Sequence, residues 1–180
     1  MANPDDLLLA TTRAAAIRLM IFDVDGVLTD GALHYGPSGE SLKVFNVLDG
    51  QGIKLLQQSG VATAIISARQ STMLARRAAD LGIGHLEQGV HDKRAAFEQL
   101  LARTGLTAEQ CGFIGDDIID LPILMRAGFA ASVTNAHAEV RARVHYVTEA
   151  PGGHGAAREI CDFILRAQGN YEAALASYLS

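Results

Sequence analysis

No apolar run in this 180-residue chain approaches the ~20 residues that a bilayer core demands of a spanning helix. Positive charge is also scarce. Fifteen Lys and Arg stand against 20 Asp and Glu, giving a net charge of -5, and no basic block interrupts the sequence. Nucleic acids and anionic membrane surfaces are therefore not expected partners. Cys111 and Cys161 are the only cysteines. They are too few for a disulfide framework, and their spacing matches no zinc motif. Asp5 and Asp6 stand where a secretory signal carries basic residues, so export is not expected and a cytoplasmic setting is. Repeats, linkers and low-complexity tracts are missing as well. The composition, 49% hydrophobic and 19% charged, suits one globular domain over residues 1–180 with a sizeable core.

Apolar runs of strand length alternate with segments of helical period. Strands are expected at 17–22, 61–66, 85–87, 111–114, 129–132 and 144–147. Helices are expected at 48–59, 71–81, 93–104, 121–126, 136–142 and 155–167, the first three stopped by Gly60, Gly82 and Gly105. Two further short strands, 32–35 and 42–46, flank "GPSG" and read as a β-hairpin inserted at 32–46. Residues 151–180 read as a helical tail. This alternation implies an α/β fold, a Rossmann-like parallel sheet with helices on both faces.

Ligands of open α/β sheets bind beyond the carboxyl ends of the strands, so the polar residues that end each strand are the candidates for chemistry. The first strand runs into Asp23 and Asp25 in "RLMIFDVDGVLTDG". Two carboxylates about 4 Å apart repel by roughly 4 kcal/mol at an effective dielectric of 20. "ATAIIS" ends in Ser67, followed by Arg69. "CGFIGDD" ends in Asp116 and Asp117, and Lys93 opens a helix after "QGVHD". Asp23, Asp25 and Asp116 together suit a hard divalent cation such as Mg2+, which takes oxygen ligands and offsets the repulsion. Ser67 offers a hydrogen bond and Lys93 a positive charge to a phosphoryl group. Taken singly, each of these residues is an ordinary turn, cap or surface group; four polar clusters at successive strand ends, in this order, are not explained as caps.

The order resembles the haloacid dehalogenase superfamily of phosphohydrolases, on "DVDGVLTDG", "IIS", Lys93 and "GDDIIDLP". The resemblance implies that Asp23 is a nucleophile forming an aspartyl-phosphate. Asp25 would protonate the leaving alkoxide and then activate water, while its backbone carbonyl binds Mg2+ beside Asp23 and Asp116. Asp117 or Asp120 would orient waters or Lys93. A carboxylate nucleophile beside a metal splits a very slow hydrolysis into two easier displacements.

The gaps between these positions, 44 residues from Asp23 to Ser67, 26 to Lys93 and 23 to Asp116, leave no room for an inserted cap domain. Within the superfamily the chain is similar to capless sugar-acid phosphatases, above all those acting on 3-deoxy-D-manno-octulosonate 8-phosphate in lipopolysaccharide synthesis. The likeness lies in "FNVLDGQGIKLL", "IISARQS", "LGIGHLEQGVHDK" and "PGGHGAAREICDFIL". It implies a Mg2+-dependent homotetramer whose substrate contacts fall on Asn46, Val47, Leu48, Asp49 and Gly50, with Lys54, Arg69, Arg77 and Lys93 adding positive charge. Leu48 and His154 stand where such enzymes often carry arginine. A nonulosonate 9-phosphate is the rival substrate. The glycine-rich tail, with His154 and Arg158, is expected to complete a neighbouring subunit's site, since an open site needs cover and other subunits supply it.

Two other classes remain to be weighed. A signalling receiver domain also gathers aspartates, a Ser/Thr and a Lys, but there the phosphorylated Asp ends a later strand, and no Asp ends the strand before Ser67. A non-catalytic sugar-phosphate-binding or assembly domain would not need every catalytic position filled.

Overall fold

In the computed structural model, which describes residues 4–176, 178 and 179, six parallel strands form the central sheet. In chain order the elements are α1 (Pro4–Ala16), β1 (Leu19–Phe22), β2 (His34–Gly36), β3 (Gly39–Leu42), α2 (Val47–Gln58), β4 (Ala62–Ile66), α3 (Thr72–Leu81), β5 (His85–Glu87), α4 (Lys93–Thr104), β6 (Cys111–Gly115), α5 (Leu121–Leu124), β7 (Phe129–Ser132), α6 (Ala138–Arg141), β8 (Tyr146–Val147), α7 (Ala156–Ala167) and α8 (Tyr171–Ala176). Spatial order is β5-β4-β1-β6-β7-β8, while β2 and β3 pair antiparallel as a separate hairpin.

The central strands are buried on both faces, as a parallel sheet requires. In β1 the side chains alternate. Met20 and Phe22 join the layer under α1, α2, α3 and α7, and Leu19 and Ile21 join the layer under α4 and α5. Helix limits follow local chemistry. Asn46, Ser71 and Asp92 accept backbone N–H bonds at the starts of α2, α3 and α4. Gly82 and Gly105 end α3 and α4 at φ 67° and 69°, a conformation that glycine adopts without cost.

Two features depart from the expectations. No apolar stripe announces α1, because its buried positions are the small Ala10 and Ala14 while Leu7, Leu8 and Leu9 face outward. The hairpin's second strand is Gly39–Leu42, not 42–46. Its turn holds only Pro37 and Ser38, so Lys43–Asn46 leave the ladder and cross towards α2. Between β1 and α2 there is only this hairpin, and no cap domain interrupts the described residues. No helix among them is long and apolar enough to cross a membrane.

The segment before α7 packs backbone to backbone on the loop after β1. Gly153 N–H donates to Val27 O at 2.8 Å, and a Cβ at Gly152 would collide with Gly26 O. Gly152→Ala should therefore lower stability by about 1–3 kcal/mol, because backbone cannot move aside as a side chain can. Gly84, with no neighbour within 4 Å of its Cβ position, should tolerate alanine at no cost. Urea denaturation of both variants measures the contrast, and equal midpoints would refute it.

Candidate active site

The chain leaves β1 for β4 on one side and later returns to β6 on the other. β1 is thus the point where strand order reverses, the usual place for a ligand crevice. Phe22, the last residue of β1, pairs with Ile65 and Ile114. Asp23 follows directly, and Ser67 and Asp116 lie two residues past those partners. Neighbouring strands are about 4.8 Å apart, so the register alone gathers three polar groups.

Oxygens of Asp23, Asp116 and Asp120 lie within 4.8 Å of one another. Lys93 joins them from the first turn of α4, with Nζ 2.8 Å from Asp23 Oδ1 and 2.5 Å from Asp120 Oδ1. A cation at a helix N-terminus opposes the helix dipole, and this one is also buried. Burial depresses an ammonium, yet the two carboxylates hold Lys93 above its ordinary range. One lysine does not neutralise the cluster. Burial, with Asp120 alongside, pushes Asp23 up to about 7 against the pull of Lys93. Burial, with Asp120 and Asp117 alongside, pushes Asp116 up to about 7 as well.

Small residues make room for this crowding. A Cβ on Gly26, at φ 94°, would collide with the Asp116 carboxylate, and one on Gly115 would meet Asp120 at 2.6 Å. Asp120 is fully buried. Its Oδ2 accepts the N–H groups of Asp116 at 3.0 Å and Asp117 at 3.2 Å, so it fixes the loop after β6 while its other oxygen holds Lys93. Of the two aspartates expected behind the site, Asp120 takes that place. Asp117 is exposed and caps the short turn Ile118–Asp120. A hard divalent cation fits this set: the donors are all oxygens, and three carboxylates share one ammonium.

Asp25 turns to the hairpin instead. Its Oδ1 accepts from Lys43 Nζ, and its Oδ2 lies 3.7 Å from Arg69 Nε. Lys43 also lies 3.1 Å from Glu40, and Arg69 donates to the Tyr35 hydroxyl at 3.1 Å. Sequence reasoning passed over Lys43, Glu40 and Tyr35, since a lysine next to a polar hairpin reads as solvated. Their pairing across the chain leaves no local pattern.

Ser67 is buried, and its hydroxyl accepts the Arg69 N–H at 3.3 Å. The stretch Asn46–Gly50 divides. Val47 and Leu48 are exposed. Asn46 caps α2 through Leu48 N–H at 2.8 Å and donates to Gly153 O at 3.3 Å. Asp49 is buried, its carboxyl raised by that burial, and it accepts the Arg158 N–H at the start of α7 at 2.8 Å. Through this bond Asp49 anchors the tail helix. Gly50 is likewise buried and leaves space for Arg77, since a Cβ there would strike Nη2. Arg77 donates to Asn46 O at 3.2 Å and lies over Phe45, so it braces the start of α2. Lys54 is exposed among Gln57, Gln58 and Asp80, away from the strand ends. Arg158 pairs within its own helix, with Nε at 2.8 and 2.9 Å from the two oxygens of Asp162. His154 is exposed.

Comparison with known proteins accords with this geometry. Residues 83–160 match the model of the haloacid dehalogenase-like hydrolases. The chain is 49% identical over 162 residues to the 3-deoxy-D-manno-octulosonate 8-phosphate phosphatase of Yersinia pestis, covering 90% of this chain and 87% of that one. The crystal structure of a probable yrbI-family phosphatase from Pseudomonas syringae superposes with a TM-score of 0.94 at 51% identity, covering 96% and 98% of the two chains. A 3-deoxy-D-manno-octulosonate 8-phosphate phosphatase from Moraxella catarrhalis, solved with magnesium, phosphate and KDO, superposes with a TM-score of 0.92 at 43% identity over 94% and 97%. The chain belongs to the haloacid dehalogenase-like hydrolases, in the family of the 3-deoxy-D-manno-octulosonate 8-phosphate phosphatases.

Proposed function

We propose that this protein is a Mg2+-dependent phosphatase that hydrolyses 3-deoxy-D-manno-octulosonate 8-phosphate in lipopolysaccharide biosynthesis. The observation that carries this reading is the buried cluster of Asp23, Lys93, Asp120 and Asp116 at the reversal point of the sheet. It is joined to near-full-length similarity with phosphatases of that substrate. Asp23 and Asp116, with the Asp25 carbonyl, would hold Mg2+, which supplies charge neutralisation at the phosphoryl group. Asp23 attacks phosphorus and the bond to the sugar oxygen breaks. Asp25 gives that oxygen a proton and later takes one from the water that opens the aspartyl-phosphate. Lys93, oriented by Asp120, and Ser67 support the phosphoryl oxygens. Val47, Leu48 and Arg69 line the exposed rim where the sugar acid enters.

Leu48 and His154 favour one second reading. Each lacks a guanidinium able to grip a carboxylate at two points, which keeps a nonulosonate 9-phosphate in contention. The octulosonate 8-phosphate should show at least tenfold higher kcat/KM than the nonulosonate, a margin of roughly 1.4 kcal/mol in transition-state binding. The reverse order makes the nonulosonate the substrate. Asp25→Asn should lower turnover of the sugar phosphate about 10²–10⁴-fold, as expected for lost acid–base help, and a variant within about threefold of the parent would remove Asp25 from that role.

The metal reading has a pH signature. Asp23 and Asp116 move from the ordinary 3.8 to about 7 in the folded chain without metal. Between those values the folded state binds protons that the unfolded state has released, so metal-free stability falls as pH rises through that window. Mg2+ requires the ionised carboxylates. Its thermal stabilisation should therefore be small near about pH 5.5 and several degrees larger near about pH 8. Thermal denaturation with Mg2+ and with EDTA measures this, and equal shifts at both pH values refute it.

We also infer a cytoplasmic homotetramer in which His154, not Arg158, reaches a neighbouring site, since Arg158 is occupied by Asp162. Mixed tetramers of Asp23→Asn and His154→Ala subunits should then exceed the summed activity of the separate preparations. Simple additivity in material verified as mixed would confine the tail to its own subunit.

A further inference from the structure

Lys43 has no part in the reaction as described, yet it is placed with care. Neither hairpin strand pairs with the six-stranded sheet, and Tyr35, Leu42 and Val44 on that segment are exposed. The Lys43 side chain is nevertheless 4% exposed, directed onto Asp25 Oδ1 and 3.1 Å from Glu40 Oε1. Arg69 Nη2 lies 3.8 Å from Glu40 Oε2, which ties the far side of the same group. Burying an ammonium is costly unless carboxylates and hydrogen bonds surround it. The packing of the sheet gives no reason to bury one here.

We propose that Lys43, braced by Glu40, is a positioning residue for Asp25. It holds Oδ1, which fixes the rotation of the side chain; Arg69 Nε lies 3.7 Å from Oδ2, beyond hydrogen-bond distance, so Oδ2 serves the leaving group. This rests on the assignment of Asp25 as acid and base made above. When Asp23 attacks phosphorus and the bond to the sugar oxygen breaks, the proton passes from Asp25 to that oxygen. In this role Lys43 acts through Asp25, the residue it contacts together with Glu40. Acid help of this kind depends on geometry, and a misplacement of about 1 Å costs on the order of 100-fold. The hairpin therefore does more than cover the site: it carries the restraint on the acid.

Leaving-group chemistry tests this. A sugar alkoxide leaves poorly and needs the proton, whereas p-nitrophenolate leaves without it. With Mg2+ present, Lys43→Met should lower kcat/KM for the sugar-acid phosphate about 10- to 100-fold and that for p-nitrophenyl phosphate less than about threefold. Because kcat/KM reports only the steps through phosphoryl transfer, hydrolysis of the aspartyl-phosphate does not enter. In an Asp25→Asn background the same substitution should add no further loss, the pattern of two residues acting as one unit. Equal losses on both substrates, or additive losses in the double variant, would overturn the proposal and leave Lys43 a fold contact. If Asp25→Asn alone shows no leaving-group dependence, the acid assignment fails, an outcome distinct from a failure of Lys43. Should Lys43→Met not fold, Lys43→Gln carries the same comparison, with the Mg2+-bound melting temperature confirming the fold of either variant.

Discussion

Everything near the strand ends answers to one constraint: three carboxylates, Asp23, Asp116 and Asp120, share a buried space with a single ammonium. Coulomb repulsion among them is worth several kcal/mol even at a moderate dielectric, and burial removes the water that would screen it. Lys93 satisfies two of the three. Asp120 spends its second oxygen on the backbone N–H groups of the loop after β6, so one ammonium is shared by Asp23 and Asp120 and none reaches Asp116. Burial, with Asp120 alongside, raises the Asp23 and Asp116 carboxyls to about 7. A divalent cation at this point would relieve the repulsion and would give phosphate, itself an anion, a reason to approach an acidic sheet edge.

The same constraint explains the glycines nearby. Gly26 and Gly115 sit where any Cβ would press on Asp116 or Asp120. The left-handed backbone of Gly26, at φ 94°, turns the chain sharply after Asp25, so that two aspartates one residue apart serve different neighbours. Asp23 stays with Lys93; Asp25 swings to Lys43 and Arg69. That division keeps one carboxylate in the dry interior and the other at the half-buried rim, the arrangement that a nucleophile and an acid–base pair require. The tail segment then locks the loop in place, with Gly152 and Gly153 packed against it and Asp49 and Asn46 tying that segment to α2.

Strand ends and helix stops were legible in the sequence because each has a local cause. A residue that ends a buried strand must be polar, and a glycine that ends a helix must take a positive φ. Asp23, Asp116, Lys93, Gly82 and Gly105 could all be picked out on those grounds. Three things had no local cause. α1 buries alanines, whose small side chains give no apolar stripe. Lys43 meets Asp25 only because the hairpin turn is two residues tight and the chain then crosses back. Asp49 and Arg158 are 109 residues apart in sequence, and their bond exists only because α2 packs against α7. Arg77 lay between these cases: a helix arginine reads as solvated, and only Gly50, by lacking a side chain, lets it turn inward to Asn46.

The division between buried and exposed parts of the site also separates chemistry from specificity. Asp23, Asp120, Ser67 and Lys93, to which the proposed function gives the phosphoryl group, are all buried, where a change of one atom disturbs several partners at once. Val47, Leu48 and His154 stand at the surface, and Arg69 is half-buried beside Tyr35 and Asp25; under the proposed function these are the residues that would meet the sugar acid. Substitution there costs little stability, so the rim is free to vary while the strand ends are not. Leu48 and His154 are departures of that kind. Under the proposed function they would alter the grip on a sugar-acid carboxylate and leave the buried cluster intact, and the hairpin, carrying Lys43, joins the exposed rim to Asp25.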